Sequence, residues 1–435
     1  MKGINDILKD RILQTFRAVQ SEEKWKVCVV DSKSMKILSA ACKLANLFEM
    51  DIVSIDNIDK PRQSHPKLEA IYILTPCLDS IQRLVNDFSK SEGPMYKCAH
   101  VHFTGALDGS LFSDMNRRVT EAGVAKYIRA LKEIFVDFLA VDSATYTTDY
   151  SFQTPANFFT CFGTTEYNRA EEDLKDIAKQ LLAVCAVLGE NPMIRYHRPL
   201  DLEGVENRYL PSKLAKALQS ELDEFVRQNP EFPPSRDPPV GPATMFILDR
   251  TIDSCSPFLH ELTYQAMMND LLNLENNGTK YSYEYNEEES GVTTTVRKDV
   301  VLDESDNVFV EVRHLYIQEA IDKLTTEFRE LIGKGGIAKT GDSLKDLNAM
   351  KDVVARLPQY QEMKAKYGVH LDIAQKCIDI FTQQELRSIV ELEQDLACGE
   401  THDGHTLKNI VDRMTPLLDD PYIRQVNMGK AYSDG

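Results

Sequence analysis

Trp25-Lys-Val-Cys-Val-Val-Asp-Ser-Lys-Ser-Met35 opens as an apolar run, closes on a carboxylate and then passes into helix-forming sequence. A short run with valine at three positions and no polar alternation reads as a strand buried on both faces, Trp25–Asp31. The same signal recurs at Asp51–Asp56, Ala70–Thr75, Cys98–Thr104 and Asp137–Val141, with helical periodicity over Ser34–Phe48 and Leu78–Ser89 between. Strands alternating with helices imply a parallel sheet covered on both sides. Residues 1–137 are therefore expected to form an α/β domain, with Asp31 at the carboxyl end of a strand, where such sheets bind ligands.

Beyond a polar stretch at Asp142–Asn157, Ala170–Leu188 and Pro211–Phe225 read as helices. Asn229-Pro-Glu-Phe-Pro-Pro-Ser-Arg-Asp-Pro-Pro-Val-Gly-Pro242 is a linker leading into a strand at Met245–Leu248. These features set a second α/β domain at 138–244 and a third, mainly helical one at 245–435. In the third, Thr293–Leu302 and Val308–Arg313 are expected to pair around the turn at 303–307. Helices follow on the apolar positions Ile317 to Leu331, Leu344 to Leu357, Leu371 to Phe381 and Leu386 to Leu396.

Several stretches imitate chemistry. Phe246-Ile-Leu-Asp-Arg-Thr-Ile-Asp-Ser-Cys-Ser-Pro-Phe-Leu-His260 leads from a strand to a turn and carries Asp249, Asp253, Ser256 and His260, the residue types of a serine hydrolase. It has no Gly-x-Ser-x-Gly elbow, and Ser256-Pro257 reads as an N-cap and first-turn proline of a helix. Gly333-Lys-Gly-Gly-Ile-Ala-Lys-Thr-Gly341 nearly matches a phosphate loop. Ala338 replaces the glycine before Lys339-Thr340, and a helix precedes it where a strand is needed. His402-Asp-Gly-His405 lacks further ligands at metal spacing. An α/β hydrolase or nucleotide-dependent enzyme is thus the second reading; no catalytic residue, metal or cofactor is assigned.

The nine cysteines of the 435 residues are scattered without a Cys-x-x-Cys pair and read as reduced core thiols. Charge is uneven: residues 1–137 carry 20 Lys/Arg and 18 Asp/Glu, the rest 30 and 50, within a total of −18. An acidic protein with one near-neutral, locally basic module is a poor nucleic-acid binder and better suited to an acidic protein partner. No apolar run reaches the ~18 residues that span a bilayer, and the N-terminus has no signal-peptide core, so a cytoplasmic location is expected.

The block Asp249-Arg250, Asp253, Ser256-Pro257 and His260-Glu-Leu-Thr-Tyr-Gln-Ala-Met267 resembles the Sec/Munc family of syntaxin-binding proteins, regulators of SNARE-mediated membrane fusion. Trp25–Asp31 with Ser34-Met35, Leu68-Glu-Ala-Ile-Tyr-Ile-Leu-Thr-Pro76, Ala99-His-Val-His-Phe-Thr104, Pro358-Gln-Tyr-Gln361 and Glu393-Gln-Asp-Leu-Ala397 are similar to that family in the same order, nearest its exocytic branch. The resemblance implies an arch of two α/β domains and a helical third, without a cofactor and without catalysis. It implies a syntaxin cavity at Asp31, Met35, Lys43, Asp56, Lys60 and Arg62, and a pocket for a syntaxin N-terminal peptide at Phe112, Ile128, Leu131 and Glu133. Pro358 would be the hinge of a helical hairpin and Leu371 a vesicle-SNARE contact, with Pro358 ending or bending the Leu344–Leu357 helix. Partners would be a syntaxin-type SNARE, a vesicle SNARE and the assembled complex, with the plasma membrane reached only through them. The resemblance stops near Leu418, whereas family members continue for over a hundred residues. A shortened second domain, or an isoform that only competes for syntaxin, is the corresponding expectation.

Overall fold

The computed structural model describes residues 2–22, 24–90, 93–150, 167–197, 209–236, 240–253, 255–275, 279–289, 292–335, 347–401, 403–406, 411 and 414–415. They form two compact units, Met1–Ile252 and Asp253–Gly435.

The first unit is built on five parallel strands, β1 (Lys26–Val30), β2 (Ile52–Asn57), β3 (Glu69–Leu74), β4 (Ala99–Phe103) and β5 (Ile128–Glu133), in the order β2-β1-β3-β4-β5. Every residue of β1, β3 and β4 is buried, which explains their near-continuous apolar sequences. Alternate residues serve opposite cores. Cys28 and Val30 face α1 (Ile4–Arg17) and α2 (Ser32–Ala41), whereas Val27 and Val29 face α4 (Leu78–Ser89) and α5 (Gly109–Glu121). The first of these cores continues into the helices Tyr167–Leu188 and Leu210–Gln228 and into the strand Thr244–Ile247, which pairs in parallel with Met193–Tyr196.

Chain order reverses between β1 and β3, the switch point at which open α/β sheets usually leave a crevice. Asp31 fills it. Its carboxylate accepts the backbone N–H of Ser34 (2.8 Å) and of Thr75 (2.6 Å), and the hydroxyls of Thr75 (3.0 Å) and Ser80 (2.9 Å). Ser34 Oγ accepts the Asp31 N–H (2.9 Å) and donates to the Ile73 carbonyl (2.6 Å). One buried side chain therefore caps α2 and binds the ends of β1 and β3 together.

Several elements depart from the sequence expectations. The fifth strand is Ile128–Glu133, not Asp137–Val141, within which only Leu139–Ala140 is extended and pairs with Tyr146–Thr147 outside the sheet. The apolar side chains Val136 and Phe138 are buried against helices rather than laddered. Ser34–Phe48 divides at Cys42–Lys43 into α2 and the short α3 (Leu44–Phe48).

In the second unit the hairpin joins Lys280–Glu289 to Val292–Val301, while Asn307–Val312 is a helix. Asp306 makes it so: its carboxylate caps Val308 N (3.0 Å) and Phe309 N (3.3 Å), overriding the strand propensity of Val-Phe-Val-Glu-Val. Ser256–Phe258 is one 3₁₀ turn, and the helix of this block begins only at Tyr264, running Tyr264–Leu271. Helices also span Ile317–Gly335 and Leu386–Cys398. The backbone of Leu347–Gln383 is a single helix that continues through Pro358, so neither the expected end there nor a separate helix at Leu371 is present. An internal proline forfeits one hydrogen bond, and burial of Val369, Ile373, Ala374 and Cys377 downstream anchors the helix. The Pro358 side chain and residues 336–346 of the glycine-rich segment lie outside the described residues, as does His402; His405 sits in a turn closed by Thr401.

A second buried polar chain organises this unit. His370, fully buried, faces the Tyr264 hydroxyl at Nδ1 (2.8 Å) and Asp306 at Nε2 (3.1 Å). It ties three helices through groups that are all buried. Burial works to raise the Asp306 pKa, but the His370 hydrogen bond and charge and the Phe309 amide prevail and hold it below the ordinary aspartate value.

Two outcomes are expected. Asp31→Asn presents an amide donor to a site made only of donors and lowers unfolding stability by about 2–3 kcal/mol, read from the denaturant midpoint of the first unit. Because the Asp306 pKa is depressed by folding, its contribution is complete above the unfolded aspartate value and lost as pH falls through the lower folded one. Acid unfolding of the second unit, followed by tryptophan-independent circular dichroism, is therefore displaced in Asp306→Asn, which starts less stable at neutral pH and loses less on acidification.

Candidate partner-binding surfaces

The residues expected to form a partner cavity fall into two physical groups. Asp31 and Arg62 are structural anchors. Arg62 Nη2 donates to both carboxylate oxygens of Asp87 (2.8 and 3.0 Å) and Nη1 donates to Tyr96 OH (3.2 Å); both charged side chains are nearly inaccessible. Tyr72 OH donates to the same Asp87 (2.9 Å), and Tyr96 OH donates to Asp56 (3.0 Å). Burial alone pulls the Arg62 pKa down, yet the facing Asp87 carboxylate overcomes it and holds the guanidinium charged. Burial and the same carboxylate drive the Tyr72 phenol upward. Asp56, Tyr96, Arg62, Asp87 and Tyr72 thus form one network fixing the segment after β2 to α4. Neither Arg62 nor Asp31 is free to meet a partner's charge; each sets the shape of the rim.

The remaining members are at the surface. Met35 is half-buried on α2 against the core, and Lys43 and Lys60 are exposed, Lys43 preceding α3 and Lys60 in the turn after β2. Between these lysines lies a feature that residue type alone does not single out. Leu44 and Phe48 of α3 are 61% and 58% exposed, and Val53 of the edge strand β2, on which α3 packs, is exposed as well. The signal was available: Leu44 and Phe48 are four apart, while Leu47 between them is the residue that enters the core. The β2 edge accordingly sets exposed apolar side chains among exposed lysines and acidic residues, Glu49 and Asp59.

The other sheet edge carries the second group. In β5 the register slips by one residue, so that Ala99, His100, Val101 and Phe103 of β4 pair with Ile128, Ala130, Leu131 and Glu133. Paired residues of a parallel ladder share a face, and the slip puts Ile128, Leu131 and Glu133 together on the face covered by α5; without it Ile128 and Leu131 would point opposite ways. Phe112, on α5, is 42% exposed, and Leu131 is exposed too. Glu133 accepts the Leu107 N–H (2.7 Å), fixing the segment that leads into α5. Ile128 is only partly exposed and rests on the core beneath. Ile128, Leu131 and Glu133 therefore share one face of the edge strand, and Phe112 is exposed on the helix that covers that face. Leu371 lies in the second unit, half-buried on its helix against the core there.

The hydrolase-like constellation disperses. The Ser256 hydroxyl donates to Asp253, whose carboxylate also accepts Ser256 N (3.1 Å), while His260 is held by Glu393, its N–H at 2.9 Å and Nδ1 at 3.0 Å. Ser256 and His260 serve different partners. Among the described residues no helix is long and apolar enough to cross a membrane.

Comparison with known proteins accords with this architecture. The Sec1 family profile matches residues 26–427. The chain is 34% identical over 421 residues to "Protein transport protein sec1" of Dictyostelium discoideum, covering 96% of this chain and 66% of that protein. It is 31% identical over 413 residues to "SNARE-interacting protein KEULE" of Arabidopsis thaliana, covering 92% and 59%. It thus spans about three-fifths to two-thirds of the length of these relatives. In fold it is similar to the Unc18–syntaxin 1 complex structure from Monosiga brevicollis (TM-score 0.77, 23% identity, 97% of this chain and 70% of that one) and to Sly1p in complex with an N-terminal peptide of Sed5p (0.70, 19%, 98% and 66%). A five-stranded parallel first sheet, the Asp249–Met267 block and a match over nearly the whole chain lead to one assignment: the chain belongs to the Sec1 family.

Proposed function

We propose that this chain is a SNARE-binding regulator of vesicle docking and fusion in exocytosis, acting through shape and without making or breaking a covalent bond. The observation that carries the reading is the alignment of Ile128, Leu131 and Glu133 by the β5 register slip on the side of α5, beside exposed Phe112. Apolar side chains that share the face of an edge strand with a fixed carboxylate suit a short peptide with apolar anchors and a basic or amino group. The names of its relatives support this: KEULE is called SNARE-interacting, and the similar Unc18 and Sly1p structures hold syntaxin 1 and a Sed5p peptide. The β2 edge, with Leu44, Phe48 and Val53 between Lys43 and Lys60, supplies the broader surface that a syntaxin helical bundle with acidic faces would meet. Asp31 occupies the sheet's switch point with a carboxylate that would repel phosphate, which weighs against nucleotide chemistry at that crevice.

The functional division proposed is a syntaxin-binding part at 1–137, an α/β part at 138–244 and a helical part at 245–435 that contacts a vesicle SNARE near Leu371, with localisation at the plasma membrane through syntaxin. Pro358 inside the Leu347–Gln383 helix is the proposed hinge, because the missing hydrogen bond and the ring's clash with the preceding turn together cost a helix about 3 kcal/mol, which lowers the cost of local unwinding there.

The deciding experiment is binding of a syntaxin cytoplasmic region, with and without its N-terminal peptide, to the purified chain. Phe112→Arg is expected to weaken the peptide-dependent component at least about tenfold, equivalent to the ~1.4 kcal/mol that one buried aromatic contact readily supplies. Undiminished binding would place the peptide elsewhere. Pro358→Ala is expected to accelerate SNARE pairing in a templating assay, and an unaltered rate removes the hinge.

A further inference from the structure

The face of β4 turned away from α5 carries Cys98-Ala-His100-Val-His102, three metal-type side chains at alternate positions and hence on one side of the strand. On the neighbouring strand Ala70 pairs with Ala99, which sets Glu69 beside Cys98. Cys98, His100 and Glu69 are all buried, and their Sγ, Nε2 and carboxylate oxygen lie within 4.8 Å of one another. His100 Nε2 is 2.8 Å from Glu69 Oε2 and 4.0 Å from Cys98 Sγ. Ligand atoms around a tetrahedral zinc ion stand about 3.3–3.7 Å apart, given bonds of ~2.0–2.3 Å, so side-chain shifts of under about 1 Å convert the hydrogen-bonded triad into a coordination shell.

Three further observations make this more than a polar cluster in a core. The group opens onto a cavity of about 400 Å³ walled by Gln20, His100, His102, Arg129 and Lys132, large enough for an ion and its water. His102, 2% exposed, borders that cavity, and its buried Nδ1 has no hydrogen-bond partner among the described residues. The second Glu69 oxygen is already held by Glu22 N (3.2 Å), the outer contact that orients a carboxylate ligand.

We propose that Cys98 Sγ, His100 Nε2 and the Glu69 carboxylate form a three-ligand site for a borderline divalent metal, zinc foremost, with water from the adjoining cavity completing the shell. Sulfur, imidazole and carboxylate donors together suit zinc better than magnesium or calcium, which take oxygen alone. On binding, the thiol proton leaves to solvent, the proton that His100 Nε2 donates to Glu69 shifts to Nδ1 or leaves to solvent, and the His100–Glu69 hydrogen bond is exchanged for two metal bonds. Thiolate and carboxylate then neutralise the divalent charge, so the ion is held beneath the surface without net charge.

The test uses the full chain carrying Cys255→Ser and Cys398→Ser, which removes the two thiols exposed among the described residues, stripped with chelator and titrated with Zn²⁺ or Co²⁺. One equivalent should bind, and Co²⁺ should give tetrahedral ligand-field bands with a sulfur-to-metal charge-transfer band. Cys98→Ser should abolish the charge-transfer band and weaken affinity more than about 100-fold, beyond what loss of an outer-shell partner costs. Glu69→Gln, which keeps the shape of the side chain, should retain the charge-transfer band and still lose affinity, and circular dichroism confirms the fold of both. Failure to take up an equivalent of metal, or uptake unaffected by both substitutions, overturns the site and leaves the triad a structural hydrogen-bond cluster.

Discussion

The carboxylate of Asp31 is the constraint on which the first unit depends. Parallel strands have no hairpins to hold their ends in register, and at the point where chain order reverses the two central strands part. Four donors from α2, the segment after β3 and α4 converge on that one side chain and use about all the acceptor sites a carboxylate has. The rim from which Met35, Lys43 and Lys60 project is positioned by this knot and by its neighbour Asp59, which accepts Ser32 N (3.1 Å) and lies 3.5 Å from Arg83. An uncompensated buried carboxylate would cost several kcal/mol, so its complete satisfaction makes the arrangement all-or-none.

The same logic separates charges that shape a surface from charges that act on it. Arg62 and Asp87 form a buried pair whose net contribution to stability is small, because desolvation offsets attraction, but whose disruption would strand a charge. Such pairs specify conformation. Lys43 and Lys60 have no such role and remain available for long-range attraction to an acidic partner. Both kinds meet at this rim: paired, buried anchors beneath and exposed lysines above.

How much of this was legible in the sequence follows from which forces dominate locally. β1, β3 and β4 and the helices at Leu78–Ser89 and Tyr167–Leu188 were readable because burial on both faces, or on one stripe, writes itself directly into composition. β5 was not, since Ile-Arg-Ala-Leu-Lys-Glu is an edge strand with a register slip that breaks its alternation, while the more apolar residues after it are buried without a ladder. Asn307–Val312 read as a strand because one capping carboxylate outweighs the β-branched residues it precedes. The family resemblance proposed Arg62 and Asp31 as contacts, whereas only tertiary packing reveals that their charges are spent within the fold. Cys98, seen alone, is one more apolar-strand thiol; its meaning depends on Glu69, which is 29 residues away and adjacent only through strand pairing.

β5 is where these strands of argument meet. Its α5-facing side presents Ile128, Leu131 and Glu133, and its other side places Ala130 and Lys132 over His100 and His102. Among the described residues, ladder hydrogen bonds reach it only from β4, so its order depends on that strand and on what packs against its two faces. The slip that unites Ile128, Leu131 and Glu133 also sets which side chains roof the opposite cavity, because a one-residue change of register would send each to the wrong side. Any group that stiffens one face therefore fixes the geometry of the other. An edge strand with two occupied faces is a physical link between them, needing no motion of the sheet beneath.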